Sequence, residues 1–83
     1  MSTIINEPID VGAVFGKTRI KPKWFIWNGN KRDIKEVTYT WRAREGEAEV
    51  IHFSVTDGAT VFELTFNQKT LRWTLENTDA GYK

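Results

Sequence analysis

The sequence predicts an all-β fold, in which five or six short antiparallel strands form a meander that curls into a small SH3-like barrel. Apolar and polar residues alternate along most of the chain, Asn28-Gly29 and Asp57-Gly58 are strong hairpin signals, and no stretch has a helical period of useful length. The 83 residues fit one domain over residues 1–83, with an ordered core at about residues 9–76. A sandwich would need more strands than this length comfortably supplies.

The first half of the chain is expected to supply two strands and a bulge. Ile9–Phe15 can form the first strand, and residues 1–6 and 77–83 have the composition of loose termini. The second strand, Lys23–Trp27, is apolar on both faces and leads into the Asn28-Gly29 turn. Apolar Ile34 and Val37 are three residues apart, which predicts a β-bulge at Lys35-Glu36 that bends the sheet.

The segment from Val37 to Ala43 alternates strictly, and this pattern places Tyr39 and Trp41 on the apolar face. Aligning Tyr39 with Phe53 of the next strand requires an odd loop. We therefore expect a turn of three or five residues around Gly46.

The second half of the chain predicts three strands that share one apolar face. A two-residue Asp57-Gly58 turn pairs Phe53 with Phe62, and an even loop at residues 67–70 pairs Phe66 with Leu71. The predicted core of the whole domain contains Phe25, Ile34, Val37, Tyr39, Trp41, Ile51, Phe53, Val55, Phe62, Leu64, Phe66, Leu71, Trp73 and Leu75.

The composition indicates a cytoplasmic protein without a membrane segment. The chain contains no cysteine, and small secreted domains usually depend on disulfides. The first fifteen residues carry acidic side chains and lack the basic region of a signal peptide. No apolar run approaches the ~20 residues that a membrane-spanning helix needs.

Residues that carry catalytic or metal chemistry are few, so we expect neither an enzyme nor a cofactor. One histidine and no cysteine disfavour a zinc site. His52, Ser54 and Glu63 resemble a catalytic set on paper, but neighbouring polar side chains on the wet face of a sheet are the favoured interpretation. Residues 45, 47 and 49 are all glutamate and could bind calcium, but a solvated hairpin tip is the favoured interpretation.

The segment from Gly16 to Arg44 is the candidate binding region, because nine Lys or Arg against two Asp or Glu give it a net charge of +7. It also holds aromatic residues in excess of what one apolar face needs. Such a surface would attract phosphates and stack bases, as single-strand binders do. The candidate residues for binding nucleic acid or another partner are Lys21, Lys23, Trp24, Trp27, Lys31, Arg32, Lys35, Arg42 and Arg44.

Two functions follow from the same segment. The first is weak, sequence-tolerant binding of single-stranded nucleic acid. The second is protein–protein interaction or homodimerisation through an exposed apolar edge strand, because Pro22 marks the start of Lys23–Trp27 as a sheet edge. In a third interpretation Trp24 and Trp27 belong to the core and the lysines are solvated edges.

The order of short motifs resembles a family of small bacterial domains of unknown function. The motifs are Pro22-Lys23-Trp24-Phe25-Ile26-Trp27-Asn28-Gly29, then Trp41-Arg42, then Phe62-Glu63-Leu64, and finally Trp73-Thr74-Leu75. Some relatives look to be encoded with, or fused to, lesion-bypass DNA polymerases. The resemblance therefore implies a small β-barrel accessory module with a nucleic acid or a DNA-processing protein as partner, and it implies no catalytic residue.

Overall fold

The computed structural model describes residues 2–80, which form a single antiparallel sheet without a helix. Its strands are β1 (Ser2–Phe15), β2 (Ile20–Trp27), β3 (Asn30–Asp33), β4 (Glu36–Glu45), β5 (Ala48–Thr56), β6 (Thr60–Asn67) and β7 (Arg72–Ala80). The predicted all-β class is confirmed, but the described residues form seven strands rather than five or six. β1 and β7 also extend beyond the predicted 9–76 range, while Met1 and residues 81–83 lie outside the described residues.

The sheet order is β3-β2-β1-β7-β6-β5-β4, so β1 lies in the middle of the sheet, between β2 and β7. The two edge strands, β3 and β4, are consecutive in the chain and are joined only by Ile34 and Lys35. A linker this short forces the sheet to curl until its edges approach. The Ile34 N–H donates to Lys23 O at 2.9 Å, and the Lys35 N–H donates to Thr56 O at 2.8 Å.

The curled sheet is not closed into the predicted barrel, because β3 and β4 do not pair with each other. The sequence indicates curvature correctly, through the broken apolar phase between Ile34 and Val37. Closure would have required hydrogen bonds between the two edges, and the two-residue linker brings them together at one end only.

The core lies on the concave side of the curled sheet. Phe25 of β2 packs edge-on against Phe62 of β6, with ring centroids 5.0 Å apart, although two strands separate them in the sheet. The sheet therefore folds over onto itself. The buried core cluster consists of Phe25, Ile51, Phe53, Val55, Phe62, Leu64, Phe66, Trp73 and Leu75, with Ile34 and Val37 packed against it.

The strands β5, β6 and β7 present the predicted residues to the core, but their registers are shifted by two. Phe53 lies opposite Leu64 rather than Phe62, and Phe66 lies opposite Trp73 rather than Leu71. Because side chains alternate with period two, a shift of two residues leaves each side chain on the face that was predicted for it. Leu71 itself is 70% exposed and has a φ of 61°, so its assignment to the core is wrong.

In strand β4, by contrast, the predicted orientation of the side chains is wrong over most of the strand. The side chains that were expected to face the core face outward. The β4–β5 turn contains only Gly46 and Glu47, and its even length places Tyr39 opposite Ser54 and Trp41 opposite His52. Both rings therefore lie on the convex face, and Tyr39 is 65% exposed. Val37 still faces the core because the bulge lies between Val37 and Tyr39 instead of at Lys35-Glu36.

Four residues, 57–60, connect the paired residues Thr56 and Val61 at the β5–β6 turn, and this turn depends on Asp57. The Asp57 Oδ1 atom accepts hydrogen bonds from the N–H groups of Ala59 and Thr60, both at 2.9 Å, and Arg32 Nη1 lies 3.6 Å from Oδ2. Burial alone would raise the pKa of Asp57, but these two hydrogen bonds and the Arg32 charge together lower that pKa below its ordinary value.

We expect Asp57→Ala to lower the free energy of unfolding by about 1–2 kcal/mol at pH 7, because hydrogen bonds to a charged acceptor are lost. A carboxylate with a lowered folded-state pKa stabilises the fold above its unfolded value of 3.8, and this stability disappears as pH falls through the folded value. Urea denaturation at neutral pH and well below pH 3.8 measures the difference between variant and wild type. An equal difference at both pH values would contradict this role of the ionised carboxylate.

Candidate functional site: a cleft and an aromatic column beside strand β4

A cleft of about 660 Å³ lies where the curled sheet remains open. Strand β3 pairs only with Trp24–Trp27, which leaves the beginning of β2 unpaired on that side. The edge of β4 also pairs with no strand of the described residues. The cleft lies between these two unpaired edges, and its lining residues are Thr18, Arg19, Ile20, Lys21, Lys35, Glu36, Val37, Thr40, Arg42, Ile51 and Phe53.

The lining has an apolar floor and a basic rim. Ile51 and Phe53 of β5 form part of the floor and belong to the buried core. Four cations reach the cleft from three parts of the chain, and one carboxylate, Glu36, accompanies them. We call this site the cationic cleft, and its basic residues are Arg19, Lys21, Lys35 and Arg42.

The register of β4 brings Arg42 into the cationic cleft. Arg42 lies opposite Ile51, and Thr40 lies opposite Phe53, so both share the inner face with the core residues of β5. The two-residue turn that sends Tyr39 and Trp41 outward therefore sends Thr40 and Arg42 inward. The alternation of one strand thus separates charge on the inside from aromatic rings on the outside.

Most of the positive charge in the cleft has no acidic partner in the described part of the chain. Arg42 Nη1 lies 2.9 Å from Glu49 Oε1. Among residues 2–80, Arg19, Lys21 and Lys35 form no ion pair. Like charges around a concave surface with an apolar floor reinforce one another's potential, so the cationic cleft attracts anions.

Three aromatic rings form a column on the convex face of β4 and β5. The centroids of Tyr39 and Trp41 are 5.4 Å apart, and Trp41 stacks on His52 at 4.9 Å with an interplanar angle of 13°. We call Tyr39, Trp41 and His52 the aromatic column. Its inner end is fixed by hydrogen bonds, since His52 Nδ1 lies 3.3 Å from Glu63 Oε2 and Asn77 Nδ2 donates to Glu63 Oε1 at 3.1 Å.

The structure separates the predicted binding residues into several groups. Lys21, Lys35 and Arg42 meet in the cationic cleft, whereas Lys23 and Arg44 are exposed outside its lining. Arg19 also lines the cleft, although it was not among the predicted binding residues. It lies in the segment from Gly16 to Arg44, so the net charge of +7 over that segment already included it. No pattern in the sequence identifies Thr18 and Thr40 as residues that line a cleft.

Neither Trp24 nor Trp27 lies in the cleft. Trp24 covers Gly12 on the convex face, and Lys31 Nζ lies 5.3 Å from its ring centroid. Trp27 packs against the core, and its Nε1–H donates to Glu7 Oε1 at 3.3 Å.

Arg32 supports the fold more directly than it supports binding. Its guanidinium lies 5.6 Å from the ring centroids of both Trp27 and Phe62, and it also reaches Asp57. Phe53 is the aromatic residue of the cleft lining, and Tyr39 and Trp41 lie on the opposite face of β4 from the lining residues Thr40 and Arg42. Sequence reasoning missed Tyr39 and Trp41 as surface residues because it assigned them to the core.

The His52, Ser54 and Glu63 side chains do not have the geometry of a nucleophile, base and acid. In a catalytic triad the base nitrogen contacts the serine hydroxyl. Here Ser54 Oγ lies 3.1 Å from Thr38 Oγ1, and His52 Nε2 has no hydrogen-bond partner in the described residues, although His52 Nδ1 lies 3.3 Å from Glu63 Oε2. No group of three or more His, Cys, Asp or Glu residues in the described part of the chain is arranged to hold a metal ion. Residues 2–80 also contain no helix that is long and apolar enough to cross a membrane.

No protein-family model matches the chain, and no curated protein or solved structure is significantly similar to it. The resemblance to small bacterial domains of unknown function therefore stays a prediction from the motifs. Function has to be inferred from the cleft and the aromatic column themselves.

Proposed function

We propose that this protein is a non-enzymatic binding domain that holds single-stranded nucleic acid in the cationic cleft. One observation carries the proposal: Arg19, Lys21, Lys35 and Arg42 converge on one concave surface, and three of these four cations have no acidic partner in residues 2–80. Phosphate groups would supply the missing negative charge. Binding would release condensed counterions from the nucleic acid and would therefore weaken as salt is added.

The chemistry of the cleft favours weak and sequence-tolerant binding. Lysine side chains are flexible point charges that contact phosphates without reading bases. The rim contains two of them, and Arg42 already shares its guanidinium with Glu49. A cytoplasmic location is part of the proposal, because a chain without cysteine suits a reducing compartment. The resemblance to domains found beside lesion-bypass polymerases points to the same nucleic-acid context.

We expect the double variant Lys21→Ala/Lys35→Ala to bind an oligothymidylate more weakly. Losing two phosphate contacts should reduce the slope of log affinity against log salt concentration by about 1.4, which is 0.7 for each contact to a single strand. Fluorescence anisotropy of a labelled oligonucleotide, titrated at several sodium chloride concentrations, measures both affinity and slope.

The matched control is Lys31→Ala/Lys69→Ala, which removes the same net charge outside the cleft. Lys31 Nζ lies 3.8 Å from Asp33 Oδ1, and Lys69 Nζ lies 3.9 Å from Glu47 Oε1, so both lysines already have acidic partners. This control should bind like the wild type. Equal losses in the two double variants would assign the binding to diffuse charge, and a wild type that binds no oligonucleotide would refute the proposed function.

A second candidate function is protein–protein interaction or homodimerisation through an edge strand. The sequence places this edge at β2, but β3 covers Trp24–Trp27 of that strand. The long unpaired edge is β4 (Glu36–Glu45), whose backbone could pair with another strand. The bulge beside Tyr39 and the charges of Arg42 and Arg44 oppose such pairing. Analytical ultracentrifugation that shows a monomer at every accessible protein concentration would refute homodimerisation.

A further inference from the structure

We infer that the exposed ring of Tyr39 is a stacking platform for one nucleobase of the strand whose phosphates occupy the cationic cleft. This inference rests on the proposed function and adds to it a second contact surface, on the opposite face of β4. It assigns the base-stacking role to Tyr39 instead of Trp24 and Trp27.

Tyr39 is the open end of the aromatic column. One side of its ring is directed toward Trp41, whose centroid is 5.4 Å away, and Trp41 in turn stacks on His52. The Tyr39 side chain is nevertheless largely exposed. A flat aromatic group placed on the free side of Tyr39 would continue a stack that the protein has already built. Nucleobases are flat aromatic groups, and every base has a face that can stack.

The alternation of β4 places this platform beside the phosphate site. Arg42 faces the cleft and Tyr39 faces the convex side, and only Thr40 and Trp41 separate them in the strand. Since β4 is an unpaired edge, no other strand stands between its two faces. A single strand that crosses this edge can therefore leave phosphates at Arg42 and direct a base toward Tyr39.

The surroundings of Tyr39 fit a base better than a protein surface. Apart from Trp41, its neighbours on the convex face are polar: Ser54 lies opposite Tyr39, and the Thr38 hydroxyl oxygen lies within hydrogen-bonding distance of both the carbonyl oxygen and the Oγ atom of Ser54. The exposed surface of one ring is far smaller than the ~1,200–2,000 Å² of total area that a stable protein interface buries. It is sufficient for a single base.

The inner end of the column makes the platform rigid before any ligand binds. The rings of Trp41 and His52 are nearly parallel. The Glu63 carboxylate forms a hydrogen bond with His52 Nδ1 and accepts a second one from Asn77 Nδ2. Because Trp41 supports the Tyr39 ring from one side, little side-chain entropy should be lost when a base stacks on the other side.

The test compares two single-stranded oligonucleotides of equal length, an oligothymidylate and an abasic strand with the same phosphates. Wild-type protein should prefer the oligothymidylate, because only that strand can stack. Tyr39→Ala should weaken oligothymidylate binding by about tenfold, which is within the range measured for single stacked bases, and should leave abasic binding unchanged. Tyr39→Phe keeps the ring and should retain the preference.

Circular dichroism of the variants verifies the fold, and Leu71→Ala is a control for removing an equally exposed apolar side chain. If Tyr39→Ala binds both strands as the wild type does, while Lys21→Ala/Lys35→Ala loses affinity, the platform is refuted and the cleft function stands. If the wild type binds neither strand, both proposals fail. If Tyr39→Ala only changes the oligomeric state, its ring belongs to a protein interface and the platform is refuted.

Discussion

Replacing Phe62 by alanine is expected to lower the free energy of unfolding by about 3–5 kcal/mol. Phe62 is 1% exposed, packs edge-on against Phe25, and lies 5.6 Å from the Arg32 guanidinium. This ring pair is one of the contacts that join the two halves of the curled sheet across the core. The truncation would leave a cavity and would also remove the ring over which Arg32 lies.

The expected loss is a large fraction of the total free energy of unfolding. At about 0.05–0.15 kcal/mol per residue, a chain of this length has only about 4–12 kcal/mol of stability, so Phe62→Ala should be partly unfolded at room temperature or melt far below the wild type. Thermal and urea denaturation followed by circular dichroism measure the change. Leu71→Ala, which removes an exposed side chain, should stay within about 0.5 kcal/mol of the wild type. A similarly small effect for Phe62→Ala would mean that the core does not join the two halves.

Gly12→Val is expected to destabilise the protein by about 1–3 kcal/mol, through overpacking on the convex face. A Cβ atom at Gly12 would clash with Cε2 of Trp24, so the indole would have to leave its place over β1. Its displacement would also break the contact between Trp24 and Lys31. Glycine is required here for space, because the ring of the neighbouring strand lies directly on the backbone.

A double-mutant cycle with Trp24→Ala isolates this cause. Valine is favoured in strands and glycine is not, so Gly12→Val should be neutral or stabilising once the indole is absent. The two substitutions should therefore couple by about 1–3 kcal/mol, measured as differences in unfolding free energy from urea titrations. If Gly12→Val costs the same with and without Trp24, the glycine serves a purpose other than accommodating the ring.

The sequence was informative wherever a local pattern decides the structure. The Asn28-Gly29 turn forms as predicted, with φ values of 54° and 75° that link Trp27 directly to Asn30. The faces of β5, β6 and β7 follow from alternation alone. Their registers do not, because Asp57 extends the turn to four residues by binding two N–H groups, and Asn67 Oδ1 likewise accepts from Lys69 and Thr70.

The candidate site was less predictable because it depends on one turn length and on long-range pairing. An odd β4–β5 turn would put Tyr39 inside, and the observed two-residue turn puts Arg42 inside instead. The hydrophobicity of β4 alone cannot decide between these turns, since tyrosine and tryptophan tolerate both environments. The cleft further requires that β1 pair with both β2 and β7, and no local signal specifies those partners.

The central position of β1 has a consequence for the order of events during synthesis. Ile9 pairs with Trp73, so the middle of the sheet cannot form on the ribosome until Trp73 has emerged. Until then, the β1–β3 segment and the β4–β6 segment are separate meanders, each with an additional open edge. Folding should therefore be completed late and slowly, and nascent chains carry the greatest risk of aggregation just before β7 is released.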